Sequence, residues 1–222
     1  MSIGRRFVLS GSKAFLNELF DAVVAGNVQK ARKLAERLVN EGVSSDVVLD
    51  KMMEAMRAVD KKHEMKEYFT VDVAAASTAM REAFKVVEPN LKVKKADKSG
   101  KVVIGSLKGN IQSLGKDIVA SALRSAGFHV VDLGVNVSPE KFVDSAVNEK
   151  AQVIAISVSV SETVPYLKDV VGLLRKKKLA DSIKTVIGGR AVSEERCREY
   201  GIDAYAKDAW DCVKKVRDLL NC

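Results

Sequence analysis

The stretch VVIGSLKGNIQSLGKDIVASALRSAG, residues 102–127, joins an apolar run to a helical pattern through a polar loop. The run 102–107 reads as a strand, and the pattern from about 116 to 126 reads as a helix that Gly127 breaks. A strand, loop and helix in this order form the building block of an open α/β sheet. Ligands of such sheets bind at the carboxyl ends of the strands. The loop GNIQSLGKD, residues 109–117, therefore faces the expected ligand side.

The same alternation continues to the C-terminus. Strands are expected at 129–133, 152–159, 185–187 and 203–206, and helices at 139–148, 165–177, 193–200 and 210–220. The run 152–159 is nearly continuously apolar, as a strand covered on both faces should be. Five strands alternating with five helices imply a parallel sheet with helices on both sides. Residues 102–222 are thus expected to form a five-stranded, doubly wound α/β domain of the flavodoxin-like or Rossmann-like kind.

Upstream the period is helical. After a lead-in over 1–11, Ser12 is expected to cap a helix carrying Phe15, Leu16, Leu19, Phe20, Val23 and Val24. Gly26 stops it and Asn27 caps a second, which ends at Gly42. Ser44 or Ser45 opens a third, and a fourth runs from about Tyr68 to Val87, ended by Pro89. Short connections between four helices predict an antiparallel bundle over 1–90. The small residues of Ala74-Ala75-Ala76-Ser77-Thr78-Ala79 suit close helix packing, or room for a flat ligand. Residues 91–101 carry charge without periodicity and read as a linker.

Composition narrows the class. With 47% hydrophobic residues the 222-residue chain can bury real cores, yet no apolar run is long enough to span a bilayer. No leader is evident in MSIGRRF, so a cytoplasmic protein is expected. Cys197, Cys212 and Cys222 show no CxxC spacing and read as free thiols. The net charge is +8 and the basic residues are spread out, with two clusters at Lys92, Lys94, Lys95, Lys98 and Lys101, and at Arg175-Lys176-Lys177-Lys178. No aromatic residue interleaves either cluster, so they read as a solvated linker and a helix end, not as a nucleic-acid surface.

Several chemistries lose ground. Neither GxGxxG nor GxxxxGK[ST] follows the first strand, because Gly105, Gly109 and Gly115 have the wrong spacing. Only His63 and His129 are present as imidazole bases, and no carboxylate pair or metal-ligand cluster stands at the sheet mouth.

The order of motifs resembles the corrinoid (cobalamin-binding) proteins of methyltransferase systems, including methanol, methylamine and O-demethylase carriers and the cobalamin modules of methionine synthase. The resemblance spans about 15–220. It rests on Asn110-Ile111-Gln112-Ser113-Leu114-Gly115 at the D-x-H-x-x-G loop and on GFHVVDLGVNVSPEKFV at 127–143. It also rests on Ser157-Val158-Ser159, Gly188-Gly189, Asp203-Ala204-Tyr205-Ala206 and the segment 59–80. It implies a corrinoid whose tail base is detached from cobalt and lodged in a cleft beside the sheet. Asn110, Gln112, Ser113, Gly115, Ser157, Ser159, Gly188, Gly189 and Tyr205 would line that site, with Ser157 bonding the tail base. Tyr68, Phe69, Val73 and Met80 are the candidates for an apolar roof from the helical half.

The loop departs from the family pattern at its two metal-related positions. In the family the histidine ligates cobalt and the aspartate holds its other ring nitrogen. Asn110 and Gln112 are amides, so no protein histidine is expected below cobalt. A water held by Gln112 is the alternative, and His63 is a candidate from above. Loss of a lower nitrogen favours four-coordinate cobalt(I). The expected function is a methyl carrier, not a complete enzyme by itself. It would work with a substrate-specific methyltransferase, an acceptor methyltransferase and a reductive activase. Corrinoid storage, delivery or sensing, or a scaffold with an empty cleft, are the competing readings.

Overall fold

The computed structural model describes residues 10–91 and 100–221, and the side chains of residues 12–91 and 100–221. Most of the expected linker and lead-in, four of the linker lysines and Cys222 lie outside them. The chain divides into two compact units, Met1–Lys92 and Val93–Cys222.

The first unit contains α1 (Ser10–Val24), α2 (Val28–Asn40), α3 (Ser45–Glu64) and α4 (Thr70–Val87). α1 packs on α2 and α3, and α2 packs on α4. Leu19, Val23, Leu38, Leu49, Met52 and Met80 are fully buried between them. Asn27 caps α2 by accepting the Lys30 N–H at 3.0 Å. α1 begins before Ser12, which is buried instead of capping. α4 begins two residues after Tyr68, because the Asp72 carboxylate takes the Phe69 N–H at 2.8 Å and sets the start there. After α4 the chain makes a single 3₁₀ turn, Glu88–Asn90, around Pro89.

Small residues of α4 serve packing. Ala76, Ala79 and Ala83 are fully buried. A Cβ at Gly26 would lie 2.6 Å from the Ala75 Cβ, so the α1–α2 turn and α4 approach as closely as two small residues allow.

The second unit alternates β1 (Lys101–Ser106), α5 (Leu114–Ser125), β2 (His129–Asp132), α6 (Pro139–Asn148), β3 (Val153–Ser157), α7 (Tyr166–Lys176), β4 (Lys184–Gly188), α8 (Glu194–Tyr200), β5 (Ala204–Ala206) and α9 (Ala209–Leu220). All four strand pairings are parallel, in the order β2-β1-β3-β4-β5. This is the flavodoxin-like order, with the chain reversing direction between β1 and β3. β3 is central and buried along Val153–Ile156, which is why its sequence is continuously apolar. One layer of the core joins Val103, Ile154 and Ile187 of the sheet to Phe142, Leu167 and Leu174. Gly105 has no side chain because the Phe142 ring lies there: a Cβ would sit 2.9 Å from its Cζ.

Expected boundaries shift where loops take over. β3 ends at Ser157, so Ser159 lies beyond the strand, ahead of a 3₁₀ turn at Ser161–Thr163 that the sequence did not signal. α5 starts at Leu114 and includes Gly115. Strand register places Ser106, Ser157, Gly188 and Ala206 in one row at the carboxyl end of the sheet.

Candidate functional site

The loop after β1 is built by hydrogen bonds that its two amides make possible. Gly109 turns the chain at φ +82°, a conformation that favours glycine. Its N–H donates to Asn136 Oδ1 at 2.8 Å, and Asn136 N–H donates back to the Asn110 carbonyl at 3.0 Å. Asn136 itself sits at φ +54°, which asparagine tolerates better than most residues. The two loops that leave β1 and β2 are thereby tied together, beside the switch point between β1 and β3.

Asn110 is fully buried and used at both ends. Its Oδ1 accepts the Gln112 N–H at 3.0 Å, and its Nδ2 donates to the Ser157 carbonyl at 3.3 Å. A backbone N–H can only donate and a carbonyl can only accept, so these partners fix the amide's orientation. The Asn110 amide is therefore not merely an aspartate lacking its charge. Its NH₂ reaches across to the end of β3, a contact that a carboxylate cannot make. The local turn between residues 110 and 112 also shortens the loop, which lets α5 begin two residues earlier than its sequence pattern indicates.

Gln112 is exposed but held at three points. Its N–H meets Asn110, its carbonyl accepts the Ser106 hydroxyl at 2.8 Å, and its side-chain Oε1 accepts from Arg190 Nη2 at 3.2 Å. Arg190 follows Gly188-Gly189 and was not a sequence-level candidate. Its position next to the paired glycines was the only available signal. Ser106 and Asn136 were missed for the same reason: nothing marks them until the strand ends are brought together.

Gly115 lies within the first turn of α5, and the loop's turn belongs to Gly109. A Cβ at Gly115 would meet nothing within 4 Å, so this helix start borders open space. Next to it, Lys116 is 3% exposed and ion-paired with Asp132 at 2.5 Å and Asp117 at 2.7 Å. Asp132 also accepts the Gly134 N–H at 2.8 Å, and the Gly134 carbonyl takes the Ser106 N–H at 2.9 Å. This buried cation thus anchors the β2 exit beside the loop.

On the other side of the row, Gly188 and Gly189 bring bare backbone to the sheet mouth. A Cβ at Gly189, where φ is +118°, would lie 2.3 Å from the Val158 carbonyl oxygen. A Cβ at Gly188 would lie 2.8 Å from that of Ala206. Ser157 and Ser159 are half-buried, and Ser113 precedes α5. Tyr205 pairs in register with Ile187 and packs against the core layer of Phe142 and Leu167. Burial, then the charges of Asp211 and Asp208, push its phenol up.

The candidates of the helical unit divide. Met80 is fully buried and Val73 is 7% exposed, so both pack into the core of the helical unit. Tyr68 is half-buried and donates its hydroxyl to the Val24 carbonyl at 3.2 Å. Phe69 is 69% exposed, near Met65 and Val71, which are exposed as well. His63 is exposed, with Nδ1 2.9 Å from the Tyr68 carbonyl. That carbonyl can only accept, so Nδ1 is the donor of this bond.

Among the described residues, no three His, Cys, Asp or Glu side chains gather as a metal site. The mouth therefore offers a cradle of small residues and backbone, beside the open space at Gly115. The loop offers no imidazole, thiolate or carboxylate to a metal. A corrinoid fits a cradle of this kind.

Two matches to B12 binding domain families cover residues 100–211 and 15–88. The chain is 35% identical to trimethylamine corrinoid protein 1 of Methanosarcina acetivorans over 203 residues, 90% of this chain and 94% of the relative. Identity to the trimethylamine corrinoid protein of Methanosarcina barkeri is also 35%, over 85% of this chain and 90% of that one. Among solved structures, the Methanosarcina barkeri monomethylamine corrinoid protein superposes with a TM-score of 0.85 at 29% identity, over 94% of this chain and 99% of that one. With the flavodoxin-like sheet, the loop after β1 and these likenesses in place, the chain belongs to the B12-binding corrinoid proteins of methyltransferase systems.

Proposed function

We propose that this protein is a corrinoid methyl carrier that shuttles a methyl group between two methyltransferases. The observation that carries the reading is the likeness to trimethylamine corrinoid proteins over nearly the whole of both chains. The bound corrinoid would supply a cobalt centre able to accept and release a methyl group. The residues of the chain hold and orient it. Gly188 and Gly189 give close backbone approach, and Ser157, Ser159 and Tyr205 border the cleft for a tail base detached from cobalt. Ser113 and Gly115 border the opposite side. Its partners would be a substrate-specific methyltransferase, an acceptor methyltransferase and a reductive activase.

The test is reconstitution with hydroxocobalamin, then gel filtration and a visible spectrum. Comigrating colour is expected, and a colourless protein overturns the reading. A second reading, corrinoid storage or sensing without transfer, is favoured by the amide at Gln112, where the family pattern has a metal ligand. It would be upheld over the first by tight binding of a methylated cofactor that no methyltransferase partner demethylates.

A further inference from the structure

Residue 112 is constrained more tightly than an exposed glutamine needs to be. Two backbone hydrogen bonds fix its main chain, and Arg190 fixes the end of its side chain. A guanidinium only donates, so the atom facing it is Oε1. That oxygen is the one Lewis-basic atom of the side chain, and the remaining Nε2 has no lone pair for a metal. A cation and a metal ion would compete for the same oxygen. The contact joins the loop after β1 to the loop after β4, so it is made only when both strand ends are in register.

We infer that Arg190 is a positioning residue that withholds residue 112 from metal coordination. This rests on the corrinoid reading and deepens it. The pair turns the loop from a ligand-donating surface into a hydrogen-bond-donating, cationic one. A cobalt held beside this loop would then take no donor atom from residue 112. The departure at Gln112 is thus a two-residue device, and reversing one member does not reverse the function. An imidazole at position 112 would have similar reach to the amide. Arg190 would donate to its free nitrogen as it donates to Oε1.

The test loads hydroxocobalamin into protein labelled with heavy-nitrogen histidine and reduces it to cobalt(II). Electron paramagnetic resonance then separates a histidine ligand from the tail base by its distinct superhyperfine splitting. Four proteins are compared: wild type, Arg190→Ala, Gln112→His and the double variant. Both positions are exposed, so the urea midpoint of each variant should match wild type. Labelled-nitrogen splitting is expected in the double variant, with at least tenfold the intensity of any in Gln112→His alone. Equal splitting in Gln112→His and the double variant overturns the inference, as does no splitting in the double variant. Labelled-nitrogen splitting in wild type overturns it too, since His63 or His129 would then be the ligand. A wild type that takes up no corrinoid overturns the carrier reading and this inference together.

Discussion

Restoring the family's aspartate at position 110 should weaken this protein. Asn110 is fully buried, with its Oδ1 on the Gln112 N–H and its Nδ2 3.3 Å from the Ser157 carbonyl. In Asn110→Asp the first bond survives, but the second becomes two oxygens face to face. Losing one hydrogen bond costs about 1 kcal/mol, and an uncompensated buried polar group costs about 1–3 kcal/mol. The sign of the pH dependence follows. Burial and the opposing carbonyl raise the new carboxyl above its unfolded value of about 3.9. Below that pH it is neutral in both states and donates its proton to the carbonyl much as the amide does. Above it the unfolded chain ionises first, and stability falls by about 1.4 kcal/mol per pH unit until the folded group also ionises. The expected deficit relative to wild type is within about 1 kcal/mol at pH 4 and roughly 3 kcal/mol at pH 7.5. The assay is urea unfolding followed by Trp210, the sole tryptophan, which lies in α9 of the α/β unit. At pH 7.5 the midpoint should fall by about 1 M or more. A pH-independent deficit, or midpoints within about 0.2 M of wild type at pH 7.5, would refute the reasoning.

Three further outcomes follow from the same geometry. Lys116→Met leaves Asp132 and Asp117 without their buried cation and should cost about 3 kcal/mol in urea unfolding at pH 7.5; an unchanged midpoint contradicts the anchoring role. Gly189→Ala drives a methyl to 2.3 Å from the Val158 oxygen at φ +118°, so a loss of about 3 kcal/mol is expected, together with loss of corrinoid uptake. Normal uptake and stability would show that the β4 exit is not tightly set. Burial, then the charges of Asp211 and Asp208, push the Cys212 thiol up to about 12. Its ionisation therefore lowers stability only as pH rises above the unfolded value of about 8.5. Peptide mass spectrometry after treatment with a thiol reagent at pH 8 should find Cys212 unmodified until denaturant is added.

Much of the architecture was legible in the chain because local signals agreed with the global fold. Apolar runs bounded by Gly127 and by Ser138-Pro139 marked strands and helices to within a few residues. The helix cap at Asn27 followed from its short polar side chain. The departures came where a short-range bond from a polar side chain to the backbone competes with the apolar pattern. Asp72 takes the Phe69 N–H at the start of α4, and Asn110 takes the Gln112 N–H just ahead of α5. Met80, a candidate for the apolar roof, is fully buried in the helical unit, and helical periodicity cannot tell a core face from a ligand-facing one.

The sequence by itself determined the α/β class, the loop that faces the ligand side and the two amides standing where the family pattern has an acid and a histidine. Those are properties of order and spacing, which the chain carries whether or not it is folded. What the amides do was decided only in three dimensions. Asn110 meets Ser157, 47 residues away, and Gln112 meets Arg190, 78 residues away. Neither contact has a local signal, because both exist only when parallel strands bring their carboxyl ends into one row. The tertiary structure therefore turned two apparent losses into two specific hydrogen bonds, one to a buried carbonyl and one to a guanidinium.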